Sequence, residues 1–427
     1  MNYPGSVQFL YSLGNEVKTA KLGLDRIRTV LEALGSPHRR GRFVHVAGTN
    51  GKGSTAAMIE SGLRAHGVRT GLFTSPHLAE PTERIRISGE PVSAEGFAEA
   101  FDRVHAAVEG LLDAGAIDFH TSYFETVAAM AFLIFAEEGV DCVVLEVGLG
   151  GRLDATNVVS PELCVITPVD FDHEAYLGRS LEAIAGEKAG ILKPGVPAVF
   201  ARQRPEAGDV LAARAAALDC PVTHTGDWTI RDLALYRDGS RFLLSGERDL
   251  RIHCPLAGEH QVENARTAAA ALVRLGLPGA AIEEGIARAR WPGRLERVSE
   301  DPEIVLDGAH NPAGARALGA YIDAFYSGRR VRLIYGAMRD KAIAEIGGIL
   351  FPRASEVILT APRQARALTP TAMRDFADHP GVRVAADIQA ALAMVRDAAP
   401  GDAVFVTGSL FLVAEARALL AGSGSTV

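Results

Sequence analysis

Short apolar runs alternate with amphipathic stretches along most of the chain. The runs at 43–47 and 69–73 read as buried strands, and residues 52–65 between them carry apolar side chains at helical spacing. Strands that alternate with helices indicate α/β layers with mostly parallel sheets. Strand-like runs return in the last third of the chain, at 304–306, 331–335, 357–359, 382–385 and 403–406.

A proline and a glycine interrupt the helical pattern at Trp291-Pro292-Gly293-Arg294, shortly before the second series of strands. A chain of 427 residues is also longer than one hydrophobic core usually serves. We therefore predict one domain of residues 1–294 and a smaller domain of residues 295–427. Residues 227–253 read as β-structure, with Gly239-Ser240 as a hairpin turn.

A glycine-rich turn, Gly48-Thr49-Asn50-Gly51-Lys52-Gly53-Ser54, joins the first strand to the following helix. Glycines let the backbone approach a ligand, and the N–H groups at a helix start attract phosphate. Lys52 supplies a positive charge, and Ser54 or Thr55 supplies a hydroxyl for a bound Mg²⁺. The usual G-x-x-x-x-G-K-[ST] pattern is not met, because Val46 replaces its first glycine and Gly53 its Ser/Thr. An ordinary tight turn is the alternative.

Polar residues follow three further strand-like runs: Ser75, Glu146 and His173. Ligands of open α/β sheets bind at the carboxyl ends of strands, where a carboxylate can hold Mg²⁺. Asp170 and Asp172 add negative charge beside His173. Each of the three also has a simpler explanation, as a turn serine, a helix-capping acid and a structural histidine.

Composition narrows the functional class. The net charge of −8 provides no basic surface for nucleic acid. The longest apolar run, 127–136, is too short to span a bilayer, and the N-terminus has no signal-peptide pattern. We predict a cytoplasmic protein that binds neither nucleic acid nor membrane. The four cysteines are widely spaced and read as free thiols in a reducing compartment: Cys142, Cys164, Cys220 and Cys254.

Several motifs taken together resemble the Mur-ligase superfamily and, within it, the folylpolyglutamate synthase/dihydrofolate synthase family. They are GTNGKGS at 48–54, SPHL at 75–78, ERIRI at 83–87, EVGLGGRLDATN at 146–157, DH at 172–173 and GEKAGI at 186–191. With Gly408-Ser409 they cover nearly the whole chain. The resemblance implies an N-terminal P-loop-type ATPase domain with a mostly parallel sheet and a smaller C-terminal Rossmann-like α/β domain. Ala342 departs from the family, where an acid commonly follows the G-x-x-x-D-K segment.

The resemblance also implies a nucleotide and metal site. ATP is expected to contact the turn residues Asn50, Gly51, Lys52, Gly53 and Ser54, and four residues further along the chain: Asn264, Arg294, Asp307 and His310. Two Mg²⁺ ions are expected, with Ser75, Glu146, His173 and Lys188 as ligands. Lys188 is carbamylated in the family, which requires an unprotonated and therefore desolvated amine. On the residues alone, Lys188 would be an ordinary surface lysine.

The acceptor pocket is implied at two stretches. The first is Tyr123-Phe124-Glu125, where an aromatic ring would stack on a flat heterocycle, although Ser122-x-x-Glu125 is also a helix-capping pattern and Phe124 is a plausible core residue. The second is Leu153-Asp154-Ala155, in the form associated with dihydropteroate-using members. Arg86 is a candidate for binding a carboxylate, and a solvated strand face explains it equally well.

These implications predict a monomeric, ATP-dependent amide ligase in which Lys52, His173 and Lys188 serve catalysis. It would add L-glutamate to dihydropteroate and to the glutamyl tail of reduced folates through an acyl phosphate. Two narrower alternatives are a folylpolyglutamate synthase alone and another Mur-type amino-acid ligase, such as one acting on a UDP-linked muramyl substrate. A nucleotide-dependent switch that performs no ligation would leave Lys188 and the second domain without a role.

Overall fold

The structure, a computed structural model, describes residues 1–14, 23–399 and 401–423. Its first sheet has eight strands in the order β4-β3-β2-β5-β1-β6-β7-β8, and the six strands from β2 to β8 in that order run parallel. The strands are β1 (Arg42–Ala47), β2 (Thr70–Phe73), β3 (Ile85–Ile87), β4 (Glu90–Pro91), β5 (Cys142–Glu146), β6 (Leu163–Ile166), β7 (Ala198–Phe200) and β8 (Val222–His224).

Helices cover both faces of this sheet, because its central strands are largely apolar on both sides and are buried except for Arg42 at the start of β1. One face carries the first two helices with α4 and α5, and the other carries α3 with a later helix. The helices are α1 (Tyr3–Ser12), α2 (Asp25–Ala33), α3 (Lys52–Ala65), α4 (Ala94–Asp113), α5 (Tyr123–Glu137), α6 (Glu174–Leu177), α7 (Leu181–Ala189) and α8 (Pro205–Ala217). The predicted capping box at Ser122 and Glu125 is confirmed at the start of α5.

A small antiparallel sheet follows, made of β9 (Thr229–Tyr236), β10 (Gly239–Ser245) and β11 (Asp249–Cys254). The predicted turn at Gly239-Ser240 is wrong, because residues 237–238 form the turn and Gly239 already pairs with Tyr236. A Cβ atom at Gly239 would lie 2.3 Å from the carbonyl oxygen of Cys254. The glycine therefore marks a close approach of two strands. Helices α9 (Glu259–Arg274) and α10 (Gly279–Arg288) then pack beside α3.

The third sheet has six strands in the order β12-β13-β17-β14-β15-β16, and β12 alone runs antiparallel. Its strands are β12 (Glu296–Glu300), β13 (Glu303–Leu306), β14 (Val331–Tyr335), β15 (Glu356–Leu359), β16 (Val382–Val384) and β17 (Ala403–Thr407). Its helices are α11 (Pro312–Phe325), α12 (Ile343–Leu350), α13 (Pro370–Arg374), α14 (Ile388–Ala393) and α15 (Leu410–Ser423). Every strand of this sheet follows residue 295, and the exact boundary at 294/295 stays a prediction.

Two further expectations concern single residues and helix length. Three of the four cysteines are buried, Cys220 is partly buried, and all are free thiols as predicted. No helix in the described part of the chain has both the length and the apolarity to cross a bilayer.

Candidate active site

The glycine-rich turn lies between β1 and α3, at the carboxyl edge of the first sheet. Gly51 adopts a left-handed φ of 84°, and a Cβ atom there would lie 2.2 Å from the side-chain oxygen of Asn264. Only glycine fits this position. The turn therefore presents the start of α3, with its N–H groups and Lys52, to an open cleft, which is the arrangement that binds phosphate.

Residues far along the chain brace this turn. The Asn264 amide donates to Gln261, and the Gln261 amide donates to the Ser54 hydroxyl at 3.2 Å. The Trp291 ring packs directly on Gly53, where a Cβ atom would come within 2.7 Å of it. From the sequence, Trp291 was predicted only as part of the joint between domains, because no local pattern places an indole ring against a glycine more than 200 residues away.

Ser75 and Glu146 meet at the same edge, because β2 and β5 are neighbouring parallel strands. The Ser75 N–H donates to the Glu146 carboxylate at 3.1 Å. Burial raises the pKa of Glu146, and the positive charge of Lys52 partly offsets that effect. Glu146 is thus a buried carboxylate whose ionised form requires positive charge beside it.

Lys188 reaches the site from α7. Its side chain is 3% exposed, and its ammonium donates to the carbonyl oxygen of Gly48 at 2.8 Å. Burial, reinforced by the charge of Lys52, lowers the pKa of Lys188 to about 7. A lysine with this pKa is substantially unprotonated at neutral pH, so its amine is available for reaction.

Asp172 joins the first sheet's edge to the second α/β unit. Its carboxylate lies 2.6 Å from the Lys341 ammonium, 3.5 Å from the His310 imidazole and 3.1 Å from the Asn311 amide, which donates to it. Although burial opposes ionisation, the hydrogen bond and charge of His310, with the charges of His173 and Lys341, hold the pKa of Asp172 below its usual range. Asn311 also donates to the side chain of Asn50 in the glycine-rich turn.

Two cavities meet at this edge. The larger, of about 520 Å³, opens over the glycine-rich turn and takes in Glu146, Lys188 and all of the predicted nucleotide residues. The smaller, of about 210 Å³, extends toward α5 and the segment 153–155. Both are lined by residues from the two α/β units. The residues that line both cavities are Ser75, Pro76, Gly148, Leu149, His173, His310 and Leu410.

Comparison with known proteins shows which family has this arrangement of domains. The chain matches the family models for the Mur ligase middle domain over residues 46–272 and the Mur ligase, glutamate ligase domain over residues 293–410. It is 37% identical to the folylpolyglutamate synthase of Lacticaseibacillus casei over the full length of both chains. It is 36% identical to the dihydrofolate synthase/folylpolyglutamate synthase of Mycobacterium tuberculosis, over 93% of this chain and 89% of that one.

The chain belongs to the folylpolyglutamate synthase/dihydrofolate synthase family of Mur ligases. The fold agrees with this. The Mycobacterium tuberculosis folylpolyglutamate synthase complexed with ADP and AMPPCP matches with a TM-score of 0.91 at 34% identity, over 98% of this chain and 99% of that one. The predicted family, the two-part α/β fold and the enzyme class, an ATP-dependent Mur-type ligase, are confirmed.

All thirteen residues that the family resemblance assigned to nucleotide or metal lie together, Ser75 among them. Glu146, Lys188 and His173 line the larger cavity, as do the seven turn residues from Gly48 to Ser54. Four more residues also line it: Asn264, Arg294, Asp307 and His310. Burial lowers the pKa of Arg294 and raises the pKa of Asp307. The opposite charge of the other residue partly offsets each of these two shifts. Asp307 accepts the N–H groups of Leu295 and Ala309, so it also fixes the start of the second unit.

The acceptor residues expected from the resemblance divide into two groups. Phe124, Glu125 and the segment 153–155 line the smaller cavity. Within it, the carboxylates are already engaged: Glu125 pairs with Arg26 at 2.6 Å, and Asp154 accepts the N–H groups of Gly148 and Leu149. These two acids therefore shape the wall of the cavity. Arg26 lies on α2, so this ion pair also ties α2 to the wall of the smaller cavity.

Tyr123 and Arg86 line neither cavity. Tyr123 is buried, stacked on Tyr11 and covered by the Arg84 guanidinium at 5.0 Å. Arg86 donates to the carbonyl oxygen of Glu83 at 3.3 Å and lies 5.8 Å from the Trp291 ring. Arg86 thus stands behind Trp291, which lines the larger cavity, and does not line that cavity itself. A substrate contact by Arg86 or Tyr123 therefore finds no support in this geometry.

The donor set suits a magnesium ion. The Glu146 carboxylate and the Ser75 hydroxyl are hard oxygen ligands, and burial of Glu146 favours a cation beside it. His173 contributes a neutral imidazole, since burial lowers its pKa to about 4. The Lys188 ammonium has no lone pair for a metal, whereas the carbamate anion would offer the hard oxygen ligands that Mg²⁺ prefers.

Proposed function

We propose that this ligase uses ATP to join L-glutamate to dihydropteroate and to the glutamyl tail of reduced folates. The substrate carboxylate attacks the γ-phosphate of ATP, which gives an acyl phosphate and ADP. The amine of L-glutamate then displaces phosphate and forms the amide. Relatives carry the names folylpolyglutamate synthase and dihydrofolate synthase/folylpolyglutamate synthase, which supports both acceptors.

One observation carries the proposal: the two cavities join at residues suited to phosphoryl transfer. The larger cavity lies over the phosphate turn and the smaller one leads to an aromatic wall, and Ser75, His173 and His310 line both. A nucleotide in the first cavity and an acceptor carboxylate in the second would therefore meet at these residues. Phosphoryl transfer depends mainly on such positioning and on neutralising charge.

Different residues of the chain would bind the nucleotide and the acceptor. The N–H groups of the turn and the Lys52 ammonium would hold the phosphates, and Arg294 and Asn264 would contact the rest of the nucleotide. Trp291 fixes the turn from the outside through Gly53. Phe124 would stack on the pterin, because its ring faces the smaller cavity and lies 5.8 Å from Phe73 behind it.

Ser75, Glu146 and His173 would hold Mg²⁺, with Lys188 joining them once carbamylated. Bound there, Mg²⁺ would neutralise charge on the phosphates and on the attacking carboxylate. The low pKa of Lys188 supports carbamylation, because only the unprotonated amine attacks CO₂. Two ions, as the resemblance implies, would use Glu146 in common.

Asp172 would keep the two α/β units closed during the reaction. Its contacts with Lys341, His310 and Asn311 span 138 to 169 residues and link the edge of the first sheet to the second unit. Closure excludes water, which would otherwise hydrolyse the acyl phosphate. We infer that Asp172 is a positioning residue.

Activity with dihydropteroate rests on the segment Leu153-Asp154-Ala155. Asp154 holds this segment by accepting two N–H groups from residues 148 and 149 and a hydroxyl from Thr156. The segment thereby forms one fixed wall of the smaller cavity. A folylpolyglutamate synthase without this activity is the alternative.

Isotope transfer tests the reaction directly. With an acceptor carboxylate labelled with ¹⁸O, the acyl phosphate route moves one labelled oxygen into the released phosphate, which mass spectrometry detects. Released phosphate without label would exclude attack by the substrate carboxylate and overturn the proposal.

A further inference from the structure

We propose that His105, Glu109 and His120 form a binding site for a divalent transition-metal ion of the zinc class, separate from the two cavities. The site lies on the outer side of α4, where none of its residues lines either cavity. It does not depend on the ligase reaction.

Three donor atoms converge at this place. His105 Nδ1 and His120 Nε2 are 3.5 Å apart, and Glu109 Oε1 lies 3.9 Å from the first and 3.8 Å from the second. A point equidistant from all three atoms lies about 2.2 Å from each, whereas zinc–nitrogen and zinc–oxygen bonds measure about 2.0–2.2 Å. The three side chains therefore already stand at coordination distance from one point.

Sequence and secondary structure explain the convergence. His105 and Glu109 are four residues apart on α4, so they share one face of the helix. His120 comes from the segment that leads from α4 to α5. Two imidazoles and one carboxylate form a common ligand set for Zn²⁺, with a fourth position open to water because the Glu109 side chain is 52% exposed.

The surroundings hold both histidines in place. His120 Nδ1 lies 2.9 Å from the carbonyl oxygen of Thr121, which can only accept, so Nδ1 carries the hydrogen and Nε2 keeps a free lone pair in the neutral ring. Metal-bound histidines typically make such a bond with their second nitrogen. The His105 ring stacks on Phe101 at 5.5 Å, and Phe9 contacts both imidazoles.

A metal here would tie α4 to the segment before α5. That segment ends at Ser122, which caps α5 and lines the smaller cavity with Phe124. Metal binding would therefore stabilise one wall of the acceptor cavity, and we expect a rise in thermal stability when Zn²⁺ is added.

Zinc titration tests the site. Untagged full-length protein is stripped with a chelator, and its Zn²⁺ affinity is measured by competition with a fluorescent indicator. Removing a ligand in His120→Ala should weaken one site on the order of 100-fold, since even losing an outer partner costs about 10–100-fold. Glu109→Gln, at an exposed position where packing is unaffected, should weaken the same site. His66→Ala, which removes an exposed histidine elsewhere, should change nothing.

Cobalt provides a second readout, because tetrahedral Co²⁺ has a strong visible absorption band. Wild type and His66→Ala should show this band, and His120→Ala should lack it. The Zn²⁺-induced rise in melting temperature should also vanish in Glu109→Gln. If all four proteins bind Zn²⁺ with equal affinity, or if wild type binds none outside the cavities, the proposal is wrong.

Discussion

Replacing Lys188 by methionine should stabilise the protein and abolish its ligase activity. The side chain is 3% exposed, and burial lowers its pKa from 10.5 to about 7. Folding at neutral pH must therefore either bury an ammonium or remove its proton. Methionine keeps a similar length and has no proton to lose.

The magnitude follows from linkage between protonation and folding. The unfolded chain keeps the proton up to about pH 10.5, whereas the folded chain releases it near pH 7, so this residue makes stability rise with pH between those values. Burying Lys188 therefore lowers the free energy of unfolding by about 4 kcal/mol at pH 7 and by about 2 kcal/mol at pH 9. Loss of the hydrogen bond to Gly48 opposes the gain by about 1–3 kcal/mol at every pH.

The contribution of this hydrogen bond to the free energy of unfolding is the same at both pH values, so it drops out when the two are compared. The stability advantage of Lys188→Met over wild type should therefore shrink by about 2 kcal/mol between pH 7 and pH 9. Urea unfolding measures this in CO₂-free buffer with a chelator, where neither the carbamate nor a metal ion contributes.

Arg179→Met is the matched control, because it removes an exposed positive charge just before the same helix. Its stability difference from wild type should be the same at both pH values. A Lys188→Met advantage that stays constant or grows from pH 7 to pH 9 would refute a depressed lysine pKa. It would also remove the physical basis for carbamylation.

Two further substitutions test the site. Asp172→Asn should lower kcat on the order of 100-fold while changing the affinity for ATP far less, because about 3 kcal/mol of the closed arrangement depends on the charged contacts with Lys341 and His310. Steady-state kinetics and a nucleotide titration check this, and an equal loss of both would contradict a positioning role. Phe124→Ala should raise KM for the acceptor about tenfold or more with KM for ATP unchanged, because the ring lines only the smaller cavity. A change confined to ATP would place the pterin elsewhere.

The glycine-rich turn and the strands around it could be predicted because their signals are local. A strand, a turn with Lys52 and a helix start occupy one short stretch, and the runs of apolar residues give the later strands within one or two residues. Lys188 was predicted only through the family resemblance, since its burial depends on how α7 packs. Nothing in its immediate neighbours distinguishes it from a surface lysine.

The remaining features depend on contacts between distant parts of the chain. Asp172 was recognised as a polar residue at a strand end, but its partner Lys341 lies 169 residues further along the chain. In the same way, Trp291 packs on Gly53, which precedes it by 238 residues. Gly239 was misread because a glycine that permits close strand approach has the same one-letter code as one that permits a turn. Arg86 stays a candidate for binding a carboxylate, and its contact with Trp291, 205 residues away, could not be read from the sequence.

The most direct test of the account measures ADP release with ATP, Mg²⁺ and L-glutamate, comparing dihydropteroate with tetrahydrofolate as acceptor. We predict that each acceptor stimulates ADP release and that omitting L-glutamate prevents formation of the amide product. Turnover with tetrahydrofolate alone would leave a folylpolyglutamate synthase and remove the role given to the segment 153–155. If neither acceptor stimulates ADP release, the proposed folate ligase activity is wrong.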